Sequence, residues 1–576
     1  MPPGQSIAGA GIGSGAGDGA RSVSRPAPRF RIPRLTRVGW SPWTGAATLI
    51  ALLLSIPILV VAAGAFTVTG DTWSHLAATV LPGYIRNTVL LVLGSGALAL
   101  VIGTTTAWLV ATCDFPGRRI FEWASILPLS VPAYIAAYTY AGIFDVTGPV
   151  QRLMRQVPGW SDRIYYLDVM RFETVLVIFG VVLYPYVYLI ARTAFLGQSR
   201  TALEASRTLG HSGWSTFFRV ALPLARPALA AGVALVAMEV LNDYGAVAYY
   251  GVQTFTTGIF RSWLALGDLD AAIRLAASLM LLVFCVLGVE RLMRRGKRVE
   301  EGSGAHRPLR RYQLRGARAA LATAVCLLPL LIGFLIPVTQ LGYWAVSTAR
   351  EVVGREFLRL VGNSFLLAVG GALICVFLAL ILAYTARLHR TLYMSLVSRA
   401  AVLGYSIPGA VIAVGVLVSC GWFDRTLNNI LQQTTGGSAG LILGGTLAAL
   451  LFAYAVRFLA VALLPVEAGF EQQCRNLDEA SRSLGVPPFA TLRRVALPLL
   501  RRTLLGAVIL VFVDVLKEIP LTLVLRPFNF DTLATKAYQL ALDEQVAESA
   551  NAALVVIATG IVPIIWLNRL LSGNKR

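Results

Sequence analysis

The chain has 576 residues, of which 56% are hydrophobic and 14% charged, with a mean hydropathy of +0.69. A soluble protein carries about 25% charged residues, so most of this chain is built for lipid. The net charge of +21 would suit nucleic acid, but the basic residues gather beside apolar runs and form no aromatic-interleaved face, which excludes nucleic acid as a partner.

Residues 1–43 open with a Gly- and Ser-rich stretch followed by Arg21, Arg25, Arg29, Arg31, Arg34 and Arg37, and read as a disordered basic tail. Beyond it, apolar stretches approach the ~20 residues that cross a bilayer. Twelve are expected as spans: 44–66, 87–111, 121–144, 174–196, 227–250, 271–292, 319–346, 364–386, 394–419, 440–464, 503–525 and 551–571. Runs this apolar must satisfy their backbone internally, so an all-α integral membrane protein is predicted. The first span is too long for a signal-peptide core and is expected to remain a membrane helix. The third and ninth are interrupted by Pro128, Pro132 and Pro408.

Six spans fill 44–292, a basic linker occupies 293–317, and six more fill 318–572. The even number places the tail and linker on one side, and basic residues near span ends favour the cytoplasm. Both termini are therefore expected to be cytoplasmic. Six scattered cysteines and four unpaired histidines offer neither a disulfide framework nor a tightly bound metal or haem.

The two halves repeat. "EASRTLGHSGWSTFFRVALPLARPAL" begins at Glu204 and "EASRSLGVPPFATLRRVALPLLRRTL" at Glu479, an offset of 275 without a gap. Asn87 and Asn363, Ser130 and Ser406, and Pro132 and Pro408 match at 276. The halves are thus parallel repeats, each of six helices. Each motif lies between the fourth and fifth spans of its half, at 200–226 and 475–501. It reads as a short helix stopped at Gly210 or Gly485, where glycine can take the left-handed conformation. A second short helix follows, expected to offer Phe217 and Val220, or Leu492 and Val495, as an outward apolar stripe before Pro223 or Pro498 breaks it.

The pattern E-A-x-x-x-x-G followed by L-P resembles the coupling motif of binding-protein-dependent ABC importer permeases. Both copies carry it, at Glu204, Ala205, Gly210, Leu222 and Pro223 and at Glu479, Ala480, Gly485, Leu497 and Pro498. The first copy adds Pro227, where the second has Arg502. The resemblance implies that two copies of a separate ATPase subunit dock on these elbows, one in each. No G-x-x-x-x-G-K-[ST] loop exists in the chain to cradle a nucleotide, so ATP and Mg are expected on the partner subunits and no cofactor or enzymatic activity here.

Charged side chains inside spans point to function. Glu239 and Asp243 lie four apart on the fifth span, and Asp514 and Glu518 are their counterparts on the eleventh. Spacing of i,i+4 is expected to put each pair on one helix face. Lining a passage, the four would favour a hard cation. Tyr134, Tyr138, Tyr140, Tyr184, Tyr186, Tyr188, Tyr244 and Tyr405 are candidates for added phenolic oxygens, with Tyr244 beside the carboxylates the first choice. The alternative is helix-to-helix pairing of Asp514 or Glu518 with Lys517 or a neighbouring arginine.

"LNDYGAVAYYGVQTFTTGIFRSW" and "LKEIPLTLVLRPFNFDTLATKAY" resemble the fused two-half permeases of ferric-iron ABC importers, over nearly all of 44–572. Related permeases for thiamine and other small cargoes share the architecture, and an ion-coupled secondary carrier is the alternative of another class. The resemblance implies the type I importer permease fold in a bacterial inner membrane. It also implies a periplasmic substrate-binding protein that docks on outward loops, expected near 146–172 and 526–550.

Overall fold

Prolines and short polar steps inside the apolar runs, more than the runs themselves, determine where the helices stop. The computed structural model describes residues 41–66, 71–157, 168–198, 206, 208–294, 311–473 and 476–573. Most of the expected basic tail and linker, with Glu204 and Ala205, therefore lie outside the described residues. Among the described residues twelve long helices carry the architecture. In the first half they are α1 (Pro42–Gly64), α2 (Leu81–Thr112), α3 (Ala133–Phe144), α4 (Phe172–Gly197), α5 (Leu222–Asn242) and α6 (Leu269–Arg294). In the second they are α7 (Ala317–Val352), α8 (Arg355–Leu388), α9 (Gly409–Thr435), α10 (Leu447–Gln472), α11 (Leu497–Leu516) and α12 (Val546–Gly573).

Among the described residues ten helices are long and apolar enough to cross a membrane, and an eleventh span arises if Arg118–Ser130 and Ala133–Arg155, bent by 87°, count as one. The twelve expected spans thus need revision at three places. Stretches 121–144 and 394–419 both run across a break. Val131 and Ile407, each before a proline, are extended with ψ of 110° and 133°. A proline ring disfavours the helical conformation in the residue before it, and here the chain turns, so that α3 and α9 begin afresh. The third is α11, where Arg501, Arg502 and Asp514 within twenty residues carry more charge than a free-standing span tolerates.

A proline does not always break a helix here. Pro223 and Pro498 were expected to end the elbow helices, yet helix runs through both, because a wider π turn precedes each. Leu222 N–H donates to the Phe217 carbonyl and Leu497 N–H to the Leu492 carbonyl. The extra residue in that turn absorbs the missing proline N–H and relieves the ring's clash with the preceding turn.

The cores cut across the two sequence halves. One core joins Leu91, Tyr138, Phe179 and Tyr184 to Leu341 and Trp344 of α7 and to Val556 and Ile557 of α12. The other joins Cys375, Tyr454, Leu463 and Val511 to Ala47 and Val61 of α1 and to Leu275 and Leu279 of α6. Each half therefore lends its first and last helices to the other. The segments leading into those first helices cross as well. Tyr312–Gln313 pairs as a short parallel strand with Cys113–Asp114. At the position 276 residues after Cys113, His389 Nε2 lies 3.1 Å from Ser41 Oγ.

Symmetry extends to single bonds. Asn87 donates to the Gln253 carbonyl and Asn363 to the Asp531 carbonyl. Thr88 and Ser364 hydroxyls accept from the Phe255 and Leu533 amides, at the starts of two capped helices. The second of these, Leu533–Leu542, is largely buried, so the exposed residues within the expected docking region 526–550 are Phe528, Asn529 and 542–545. Residues 158–167 of the other expected loop lie outside the described residues.

Candidate functional site

The elbows are the simpler of two candidate sites. Gly210 and Gly485 have φ of +81° and +72°, and a side chain at either would meet nothing within 4 Å. Backbone conformation alone, rather than space, calls for glycine there. Each elbow is closed by the same hydroxyl pair, Ser206 to Thr216 at 3.0 Å and Ser481 to Thr491 at 2.6 Å. Glu479 and Ala480 are exposed, as is Pro498, while Leu222, Pro223 and Leu497 are half-buried.

The expected outward stripe is corrected. Phe217 and Leu492 are buried, Phe217 against Trp108 at 5.1 Å between ring centroids. The elbow helix runs directly into α5 or α11, so its inner face continues the membrane core. Leu209, Trp214 and Phe218 are exposed instead, with Leu484 and Phe489 in the second copy. Spacing shows why: Trp214 and Phe218 are four apart on one face, and Phe217 and Ala221 are four apart on the other.

The second site is a cavity of about 130 Å³ between the halves. Glu239, Asp243, Tyr244, Asp514 and Glu518 all line it. The helix-face premise that singled them out does not hold, however. α5 stops at Asn242 and α11 at Leu516, so the two members of each pair do not share a helix. Asp243 instead accepts from the Ala246 and Val247 amides at 2.9 and 3.3 Å, at the start of the short helix Gly245–Tyr249. Glu518 accepts from the Leu521 amide at 3.0 Å, in the short helix Pro520–Leu525. Each deep carboxylate thus caps the helix that follows the break.

The remaining partners differ between halves. Glu239 accepts from the Tyr186 hydroxyl at 3.0 Å. Asp514 pairs with Lys517 at 2.8 Å, and Glu518 with Arg457 at 3.5 Å. The alternative weighed from sequence, carboxylates in ion pairs, therefore holds for the second half. Sequence reasoning missed Arg457, although a lone arginine inside the apolar stretch of α10 is itself the signal for an intramembrane partner. Of the eight tyrosines, Tyr134, Tyr186, Tyr244 and Tyr405 reach the cavity. Tyr138, Tyr184 and Tyr188 are core residues, and Tyr140 donates to the Ile332 carbonyl. A smaller cavity adjoins, sharing Glu239, Asn242, Tyr405 and Arg457 as its common wall. Among the described residues no group of three or more His, Cys, Asp or Glu is placed to hold a metal ion.

The family model described as the binding-protein-dependent transport system inner membrane component matches residues 99–295 and again 375–576. The chain belongs to this family. Matched twice, it is a fused permease of two repeats, a multi-pass inner-membrane protein and not itself an enzyme. The permease is 28% identical over 491 residues to the Fe(3+)-transport system permease protein FbpB 2 of Haemophilus influenzae, covering 84% of this chain and 89% of that one. It is 28% identical over 214 residues to the sulfate transport system permease protein CysW of Escherichia coli, covering 36% of this chain and 71% of that one. A probable molybdenum ABC transporter permease protein of Haloferax volcanii is 28% identical over 273 residues, 45% of this chain and 93% of its own length.

Proposed function

We propose that this permease carries ferric iron, delivered by a periplasmic binding protein and driven by two copies of an ATPase subunit that hold ATP and Mg. The observation that carries the reading is the convergence of four carboxylates on one cavity between the halves. Lys517 and Arg457 also face it, and both are already paired, so the ionised groups leave a formal charge of −2. A net negative, oxygen-lined cavity favours a hard cation over an oxyanion such as sulfate. The Haemophilus relative, similar over most of the chain, is described as an Fe(3+) permease, which supports the same cargo.

The mechanism is alternating access. Both termini, the linker and both elbows face the cytoplasm, each elbow seated in one ATPase groove. Exposed Trp214 and Phe489 supply the apolar contact, and Glu204 and Glu479 the polar one. Closure of the ATPase pair draws the elbows together, opens the cavity outward to the docked binding protein, and hydrolysis returns it inward. The permease couples two conformational equilibria and makes no covalent bond.

Uptake of radiolabelled iron by proteoliposomes holding the whole complex tests the cargo path. Glu239→Gln and Asp243→Asn should depress uptake strongly with little change in melting temperature, because an asparagine amide oxygen still caps the helix Gly245–Tyr249. Normal uptake by the folded double variant removes the carboxylates from the path. Metal analysis of the cognate binding protein decides iron against other cargo.

A further inference from the structure

The cavity's two cations are held in different ways. Arg457 is fixed from three sides: its ion pair with Glu518, a 3.2 Å hydrogen bond to the Ile407 carbonyl, and the Phe458 ring 5.4 Å from its guanidinium carbon. Its side chain is 11% exposed. Lys517 stands just past the end of α11, where the helix has stopped. Among the described residues its only ion pair is with Asp514, and 33% of its side chain stays open.

The choice of residue matters. Only four of the chain's 50 basic residues are lysines: Lys297, Lys517, Lys536 and Lys575. An ammonium is a compact charge on a flexible stem, able to leave one carboxylate without dismantling a planar fork of bonds. The repeat counterpart of Lys517 is Asn242, whose side-chain oxygen accepts from the Gly409 amide at 2.7 Å, so the first half has no such charge. Among the described residues the Tyr134 hydroxyl, in a cavity-lining residue 5% exposed, makes no hydrogen bond.

We infer that Lys517 is a tethered stand-in for the cationic cargo. It neutralises Asp514 while no cation is bound and is displaced when one enters, freeing Asp514 to add its charge to those of Glu239 and Asp243 along the cavity wall. Arg457 stays in place throughout. The affinity of the path for cations is thereby set low, which suits a site that must release what it receives. This rests on the cation reading proposed above.

Terbium(III), a hard trivalent cation whose emission is sensitised by nearby tyrosines, serves as the probe on the purified permease in a non-ionic detergent. Lys517→Met should bind it roughly tenfold or more tightly than the parent, since a like charge beside the site has been removed. Unchanged or weaker binding by the folded variant overturns the inference. Adding Glu239→Gln and Asp243→Asn to Lys517→Met should abolish the gain. If the gain persists, the ion sits elsewhere and the cation path itself falls.

A second measurement needs no variant. Cyanate labelling of the parent protein, read by mass spectrometry, should modify Lys517 several-fold faster when terbium is present, with Lys536 as the internal reference. Equal labelling with and without the ion shows that Lys517 is not displaced and removes the stand-in role.

Discussion

The two halves place carboxylates at the same two positions and then treat them differently. In the first half Glu239 leans on the Tyr186 hydroxyl and Asp243 on backbone amides, while in the second Asp514 and Glu518 face Lys517 and Arg457. The repeat counterparts show how the difference arose from single side chains. Arg457 stands where the first half has Val182, and Tyr186 stands where the second has Val461. The helix breaks are common to both halves, and a carboxylate caps the helix after each. The ion pairs are particular to one side. One half is therefore electrostatically locked, and among the described residues the carboxylates of the other have hydrogen bonds but no ion pair.

The largest expected effect tests that lock. Arg457→Met leaves Glu518, 6% exposed at its side chain, facing the cavity without its partner. Breaking a buried pair from one side costs about 3–5 kcal/mol. Glu239→Gln keeps an amide oxygen that accepts from the Tyr186 hydroxyl and should cost less than about 1 kcal/mol. Melting curves in detergent compare the two directly. Equal losses would mean that the halves are not divided into a locked and an open side.

Much of this arrangement was legible beforehand, for reasons that can be named. Twenty-residue apolar runs and a gapless 26-residue repeat gave the helices, their parallel halves and the elbows. The four carboxylates were found because charge in lipid is conspicuous. Their setting was not, since a helix stopped by "NDYG" or "KEIP" within an otherwise apolar run looks continuous when only hydropathy is counted. The partner Arg457 sits on another helix, beyond any local spacing rule. Phe217 pointed the wrong way because the π turn that carries helix through Pro223 leaves no local signature. The exchange of α1 and α7 between cores was invisible for a similar reason: a repeat records which segments are alike, not which half each one packs against.

A middle-sized effect concerns that exchange. α1 crosses α9 at Gly415, where an added Cβ would lie 2.4 Å from the Pro57 carbonyl oxygen. α7 meets α4 at Gly333, where it would lie 2.5 Å from the Val181 carbonyl oxygen. Backbone cannot step aside as a side chain can, so Gly415→Ala and Gly333→Ala should each destabilise by about 1–3 kcal/mol. Similar shifts in melting temperature are expected from both. A silent variant at one site would show that only one of the two crossings is tightly seated.

The smallest expected effect separates the elbows. Asp478 forms an ion pair with Arg387 at the foot of α8, and the repeat counterparts of these two residues are Leu203 and Ala111, which cannot form one. Arg387 also donates to the Phe470 carbonyl and lies over the Phe470 ring, so it remains seated when Asp478 is neutralised. Asp478→Asn should therefore release the elbow rather than the helix, at a cost of roughly 1 kcal/mol. The melting temperature should scarcely move. Limited proteolysis should nonetheless quicken within 475–501 and stay unchanged within 200–226, and ATP hydrolysis by the assembled complex should respond less to the loaded binding protein. The pair would then be a tether that keeps the second elbow at a fixed angle, with the first relying on its Ser206–Thr216 bond and aromatic packing. Unchanged proteolysis at both elbows would show that the Asp478–Arg387 pair does not tether the second elbow and make the two elbows mechanically equivalent.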